Sequence, residues 1–189
     1  MAEHREIPQP LTSAPWPAGA THLVVSGPTG SGKSTVGRLL ATALGRVWVE
    51  GDAFHTVANR NKMAAGTPLD DADRAPWLAR LAEELGRLGD LGLPAVLACS
   101  ALKRSYRDEL RSCGYPLTVV QILVSPGELR DRLASRHAHF MPASLVDSQV
   151  ALMEPLDPQE DGITVSSAED PQATASRILD ELGFVLDWS

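Results

Sequence analysis

Gly27-Pro28-Thr29-Gly30-Ser31-Gly32-Lys33-Ser34 is a run of small residues closed by a lysine and a hydroxyl, spaced as G-x-x-x-x-G-K-[ST]. Glycines there let consecutive backbone N–H groups converge on one point, a geometry that suits phosphate oxygens. The Lys33 ammonium can reach β- and γ-phosphates, and the Ser34 hydroxyl can ligate Mg2+. A helix beginning near Lys33, with Thr35 in its first turn, adds its positive end. Lysine occurs only at 33, 62 and 103, against fourteen arginines, so the match is no by-product of a lysine-rich chain. The spacing predicts that residues 27–35 bind ATP with Mg2+. ATPases, GTPases, motors and small-molecule kinases all share such a loop, so it does not choose the reaction.

Phosphoryl transfer needs an oriented acceptor, a group to take its proton, and cations around the transferring oxygens. In an open α/β sheet these gather at the carboxyl ends of the strands. Asp52, with Gly51, closes the strand expected over 46–50 and is placed to face that crevice. Its role there is general base for a hydroxyl or a water-mediated Mg2+ contact; the competing reading is a turn aspartate that caps the next helix. The run over 94–99 ends in Cys99-Ser100 with no carboxylate. That absence argues against a motor or GTPase switch and leaves Ser34 and Asp52 to share the metal with water. Lys103 stands just after that strand end, where an ammonium suits an acidic acceptor. Arg130, Arg132 and Arg136 run toward His137 and His139. This is the composition of a lid that brings guanidinium groups onto phosphates, although spacing allows at most two of the three to point inward. The two histidines have no third ligand at zinc spacing.

Alternating elements must position these groups. Short β-branched runs predict buried strands at 22–26, 46–50, 94–99, 117–124 and 163–166. Helical periodicity covers 33–44, stopped by Gly45, then 75–89, about 103–112, about 126–135, about 143–153 and 170–182. Residues 52–74 form a polar insertion of short helices and loops. Strands alternating with helices predict one α/β domain over 21–183, its parallel sheet covered on both faces. The proline-bearing residues 1–20 are expected to be a loosely packed leader, about 130–142 a lid, and 184–189 a tail.

Taken in order, Gly51-Asp52-Ala53-Phe54-His55, Asn59, Lys62-Met63-Ala64-Ala65-Gly66, Pro68 to Arg74, Pro76-Trp77-Leu78, Cys99 to Lys103, Tyr106-Arg107-Asp108 and His139-Phe140-Met141 resemble the thermoresistant-type gluconokinases. The resemblance covers about residues 22–182. It departs from the pattern at Asn61, where an acidic residue is common, and at Thr56, where proline is common. It implies a three-layer P-loop kinase fold similar to the nucleoside monophosphate kinases, with a five-stranded parallel sheet and a lid. It also implies ATP-dependent phosphorylation of D-gluconate at its 6-hydroxyl. It assigns Asp52, His55, Arg74 and Lys103 to the acceptor and Arg136 to the lid, and hints at a homodimer. Gluconate's carboxylate wants cations such as Arg74 and Lys103. Its hydroxyls want mixed donors and acceptors, for which His55, Asn59, His139 and Gln149 are the candidates. The expected catalytic set is Lys33, Asp52 and Arg136, with Arg132 also on ATP.

Composition removes other classes. With 189 residues, one domain with an adequate core is expected. A net charge of −7 and a pI near 5.2 argue against phosphate-tracking nucleic-acid binding. No run of eighteen apolar residues is present, and the first twenty residues lack a signal-peptide apolar stretch, so no membrane partner is expected. Two cysteines are too few for a disulfide framework, which points to a reducing cytoplasm. Two other readings compete. A kinase for shikimate or a nucleoside monophosphate would share the loop, but the shikimate pattern after the third strand is missing and 52–74 is poor in base-binding aromatics. A catalytically idle nucleotide sensor would tolerate loss of Asp52 and Lys103, yet both are present.

Overall fold

The computed structural model describes residues 22–134, 143–167 and 170–184. The leader, Arg136, His137, His139, lid residues 135–142 and tail residues 185–189 lie outside them. Five strands, β1 (His22–Ser26), β2 (Val47–Glu50), β3 (Ala95–Cys99), β4 (Leu117–Leu123) and β5 (Gly162–Ser166), form one parallel sheet in the order β2-β3-β1-β4-β5. The described helices are α1 (Lys33–Ala43), α2 (Val57–Ala64), α3 (Asp71–Asp90), α4 (Arg104–Arg111), α5 (Pro126–Ala134), α6 (Ala143–Leu152) and α7 (Pro171–Glu181). A 3-10 turn spans Gly51–Phe54.

Burial on both faces explains why the central strands read as unbroken apolar runs. Along β1 the side chains alternate: Val24 joins one core, and Leu23 and Val25 join the other. The first core packs Trp77, Leu81 and Leu85 of α3 and Leu110 of α4 against Val24, Leu97 and Val119. The second packs Val36 and Leu40 of α1 and Ile178 and Leu179 of α7 against Leu23, Val25 and Val96. Each such side chain, fully removed from water, contributes about 1.5–3 kcal/mol.

Most boundaries agree with the pattern to within one or two residues. The exception is α3, which starts at Asp71 rather than near 75. Its N-cap Asp70 accepts a hydrogen bond from the Asp73 amide at 2.8 Å, and the Asp73 carboxylate accepts from the Asp70 amide at 3.1 Å. This reciprocal box moves the start one turn upstream of the apolar stripe. In the polar insertion, Thr56 caps α2 by accepting from the Asn59 amide at 3.1 Å. The insertion thus consists of the turn, α2 and the first turn of α3, all at the carboxyl ends of β2 and β3.

Candidate active site

The loop after β1 curls back on itself, with the Ser31 amide donating to the Pro28 carbonyl at 3.1 Å. Gly30 and Gly32 both hold φ at +88°, a left-handed conformation that favours glycine. Gly32 caps α1 without any side-chain hydrogen bond, so the first amides of that helix remain available to an anion. Ser31 Oγ is buried and has no hydrogen-bond partner among the described residues, and the Lys33 side chain is buried at the same turn. An orphaned hydroxyl, uncapped amides and a buried ammonium fit a polyphosphate. Beside them, Ser34 Oγ donates to Glu50 Oε1 at 3.3 Å. Among the described residues no group of three or more His, Cys, Asp or Glu could hold a metal. The hard oxygens of Ser34, Glu50 and Asp52 nevertheless suit Mg2+, which takes few protein ligands and keeps water and phosphate for the rest.

Across from this loop, β2 delivers the turn that carries Asp52. Gly51 is pressed so closely onto β3 that a Cβ would stand 2.5 Å from the Ala98 carbonyl oxygen. Trp77 Nε1 donates to the Gly51 carbonyl at 2.8 Å from the other side. Asp52 itself is exposed. His55 is buried and stacks on the Trp77 ring, with centroids 4.3 Å apart and planes 14° from parallel. Burial lowers the His55 pKa from its ordinary value; Asp52 opposes that, while Arg74 and Arg60 reinforce it. Asn59 Nδ2 donates to the Asp73 carbonyl at 2.8 Å and lies 3.5 Å from His55 Nδ1.

Arg74 is buried, donates to the Leu69 carbonyl, and stands 5.7 Å from the Tyr106 ring centroid. Lys103 Nζ approaches the same ring at 5.5 Å and pairs with both oxygens of Asp71, at 2.8 and 2.9 Å. Tyr106 Oη donates to Asp71 and accepts from Arg74 at 3.5 Å. Hydrogen bonds from Lys103 and Tyr106 hold the Asp71 carboxyl below the usual carboxylate range. Two cations therefore flank one aromatic ring, with one carboxylate tying it to Lys103.

One cleft joins the two sides: Thr29 and Lys33 from the loop, Asp52 and His55 from the turn, Arg74 from α3 and Gln149 from α6 all line it, with Ser100 at the end of β3. Gln149 Oε1 accepts from the Thr29 amide at 2.7 Å. The structure thus brings Lys33, Asp52, His55, Arg74 and Gln149 to one cavity. Asn59 instead turns its amide nitrogen toward His55 and the Asp73 carbonyl, and Lys103 is engaged by Asp71. Arg132 donates to Ser167 Oγ at 2.9 Å, and Arg130 pairs with Asp147 of α6 at 2.8 Å.

Similar proteins point the same way. A family model described as an AAA domain matches residues 23–156. The gluconokinase of Gluconobacter oxydans is 51% identical over 157 residues, covering 83% of this chain and 88% of that protein. The chain belongs to the gluconokinase family. A probable gluconokinase of Mus musculus is 44% identical over 172 residues, covering 82% and 94% of the two chains. The crystal structure of a gluconokinase from Sinorhizobium meliloti superposes with a TM-score of 0.79 at 40% identity, covering 87% of this chain and 92% of that one.

In this gluconokinase-family site, sequence reasoning missed Glu50, Trp77, Asp71 and Tyr106. Glu50 is the last strand residue, two before Asp52, and that spacing at a strand end was a usable signal. Trp77 reads as part of an apolar helical stripe and Tyr106 as part of a polar helix, and nothing local marks their polar atoms as engaged.

Proposed function

We propose that the chain transfers the γ-phosphoryl group of ATP to the 6-hydroxyl of D-gluconate, in line, giving 6-phospho-D-gluconate and ADP. The observation that carries this reading is the shared cleft, in which the phosphate-loop Lys33 and Thr29 face the acceptor-side Asp52, His55 and Arg74. Such a transfer leaves little covalent chemistry to the protein, so positioning and charge supply most of the acceleration. The loop amides of 27–35 not engaged within the protein, as those of Thr29 and Ser31 are, and the Lys33 ammonium hold the triphosphate and offset charge that builds on its oxygens. Ser34 and Glu50 would hold Mg2+, with Asp52 reaching it only through water, and the ion would offset negative charge on the phosphate oxygens. Asp52, exposed at the mouth of the turn, accepts the proton of the attacking hydroxyl. Arg74 binds the carboxylate end, and Lys103 joins it when Asp71 yields to the substrate. His55 meets the hydroxyls between, and Gln149, its oxygen held by the Thr29 amide, adds only its amide nitrogen. Arg132, and Arg136 and His139 outside the described residues, belong in this reading to the lid that covers the phosphates. No described helix is long and apolar enough to cross a membrane, and the cysteines are free, in keeping with a cytoplasmic enzyme.

An ADP-release assay across D-gluconate, shikimate, AMP and glycerate tests the reading. Rapid turnover with gluconate and little with the other three is expected. Preference for shikimate or AMP would replace the acceptor assignment, and ATP binding without turnover on any of them would favour a sensor.

A further inference from the structure

His55 lines the cleft, and one edge of its ring is engaged by Asn59. Asn59 Nδ2 must be the nitrogen of its amide, because the Asp73 carbonyl 2.8 Å away can only accept. The second hydrogen on that nitrogen then points to His55 Nδ1 at 3.5 Å, which makes Nδ1 the acceptor. A neutral imidazole that accepts at Nδ1 carries its proton on Nε2. The ring face is fixed by the parallel stack on Trp77, which is fully buried and anchored through its indole N–H to the Gly51 carbonyl. The same tryptophan thus holds both the turn that carries Asp52 and the plane of the histidine. No protein group within hydrogen-bond distance takes Nε2 among the described residues, and His55 lines the cleft.

We propose that Asn59 and Trp77 are positioning residues that hold His55 in its Nε2–H tautomer, so that its open edge donates a hydrogen bond to a hydroxyl of the polyhydroxy acid. The inference rests on the acceptor reading given above and assigns the direction of that contact: His55 gives a hydrogen, and the substrate oxygen receives it. Burial, with Arg74 and Arg60 nearby, keeps the ring neutral against the pull of Asp52. A donor at this point discriminates for an acceptor with an oxygen there, since an analogue lacking it leaves a buried N–H unsatisfied.

The experiment is 15N NMR of the full chain labelled at histidine, with the His55 signals assigned by their loss in His55→Gln. At pH 7.5 the wild-type ring should show a protonated Nε2 and an unprotonated Nδ1. Asn59→Asp replaces the donor by an acceptor and should move the proton to Nδ1. It should also raise the KM for gluconate about tenfold while that for ATP stays within about twofold. If Asn59→Asp does not fold, Asn59→Leu removes the donor without adding charge and should raise the gluconate KM in the same sense. Trp77→Leu should raise it too, and Trp77→Phe, which restores a stacking face, should recover most of the loss. A merely structural role would lower Tm in these variants and leave both the tautomer and the ratio of the two KM values unchanged. A wild-type ring protonated on Nδ1, or an unchanged gluconate KM in a folded Asn59→Asp, overturns the proposal. Absence of gluconate turnover by the wild-type chain would instead overturn the acceptor reading and the hydroxyl contact with it, whatever tautomer is observed.

Discussion

Replacing Glu160 with alanine strands a guanidinium in the interior. Arg107 of α4 is fully buried, and its Nη2 and Nε contact the two Glu160 carboxylate oxygens at 2.6 and 2.7 Å. The same carboxylate accepts from Arg111 at 2.9 Å and from the Asp157 amide at 3.0 Å, and its side chain is 2% exposed. Removing one partner of such a pair costs about 3–5 kcal/mol. Arg107 keeps the carbonyls of Leu102, Glu154 and Pro155, which places the expected loss at the lower end, about 3 kcal/mol. The depressed Glu160 carboxyl, held by the same guanidinium, points to a similar size. Chiefly because of the Arg107 hydrogen bonds, its pKa is lowered from 4.5 to about 2, and about 1.4 kcal/mol per pH unit makes about 3.5 kcal/mol. Because the folded pKa is depressed, this stabilisation is fully present above the unfolded value of 4.5 and is lost as pH falls through about 2. At pH 7 the melting temperature of Glu160→Ala should therefore fall by about 10 °C for a domain of this size. Urea titrations should show the gap between variant and wild type closing as pH falls from 5 toward 2. The double variant Arg107→Met, Glu160→Leu should regain only part of the loss, because the carbonyls of Leu102, Glu154 and Pro155 then lack their donor. A drop of less than about 3 °C, or a gap that acid leaves unchanged, would refute this account of how α4 is held. The helix matters to the site because it carries Tyr106 between Arg74 and Asp71.

Lys33→Ala should reduce turnover by on the order of a thousandfold through lost charge stabilisation, with the melting temperature nearly unchanged; a melted protein would make Lys33 structural instead. Asp52→Ala should lower kcat by on the order of a hundredfold or more while ATP affinity stays within about a few-fold. Equal loss of both would make it a metal or folding residue. His22 is buried at the start of β1, and desolvation, helped by Arg46, lowers its pKa to about 4. The folded ring is neutral while the unfolded one takes up a proton, so stability should decline as pH falls from about 6.5 to about 4, by up to about 3 kcal/mol. Urea unfolding of His22→Phe should lack that slope, and a wild-type stability flat across the window would contradict it.

Much of this was legible in the chain because the signals are local. The phosphate loop is eight consecutive residues, and its flanking strand and helix declare themselves by β-branched and 3.6-residue patterns. Asp52, His55 and Arg74 sit in an insertion whose polarity marks it as something other than core. Less legible was what three-dimensional adjacency decides. The sheet order sets β3 between β1 and β2, and no periodicity announces that Gly51 will press against Ala98 or that Trp77 will cap its carbonyl. Lys103 reads as an ammonium open to substrate, but Asp71, thirty-two positions earlier, reaches it because α3 starts a turn sooner than its apolar stripe suggests. Gln149 reads as a ligand for hydroxyls, yet a contact across 120 positions gives its carbonyl oxygen to the phosphate loop. Amide and indole hydrogens have no sequence period, so Asn59 and Trp77 disclose their partners only once α2, α3 and the turn are assembled.

The central claim is that one cleft holds a triphosphate on the 27–35 side and a linear sugar acid on the 52–74 side. A crystal structure with gluconate and a non-hydrolysable ATP analogue tests it most directly. The account predicts gluconate between Asp52, His55 and Arg74, its terminal hydroxyl at the Asp52 carboxylate and in line with the γ-phosphate. Gluconate bound elsewhere, or lying with its carboxylate toward Asp52, would contradict it.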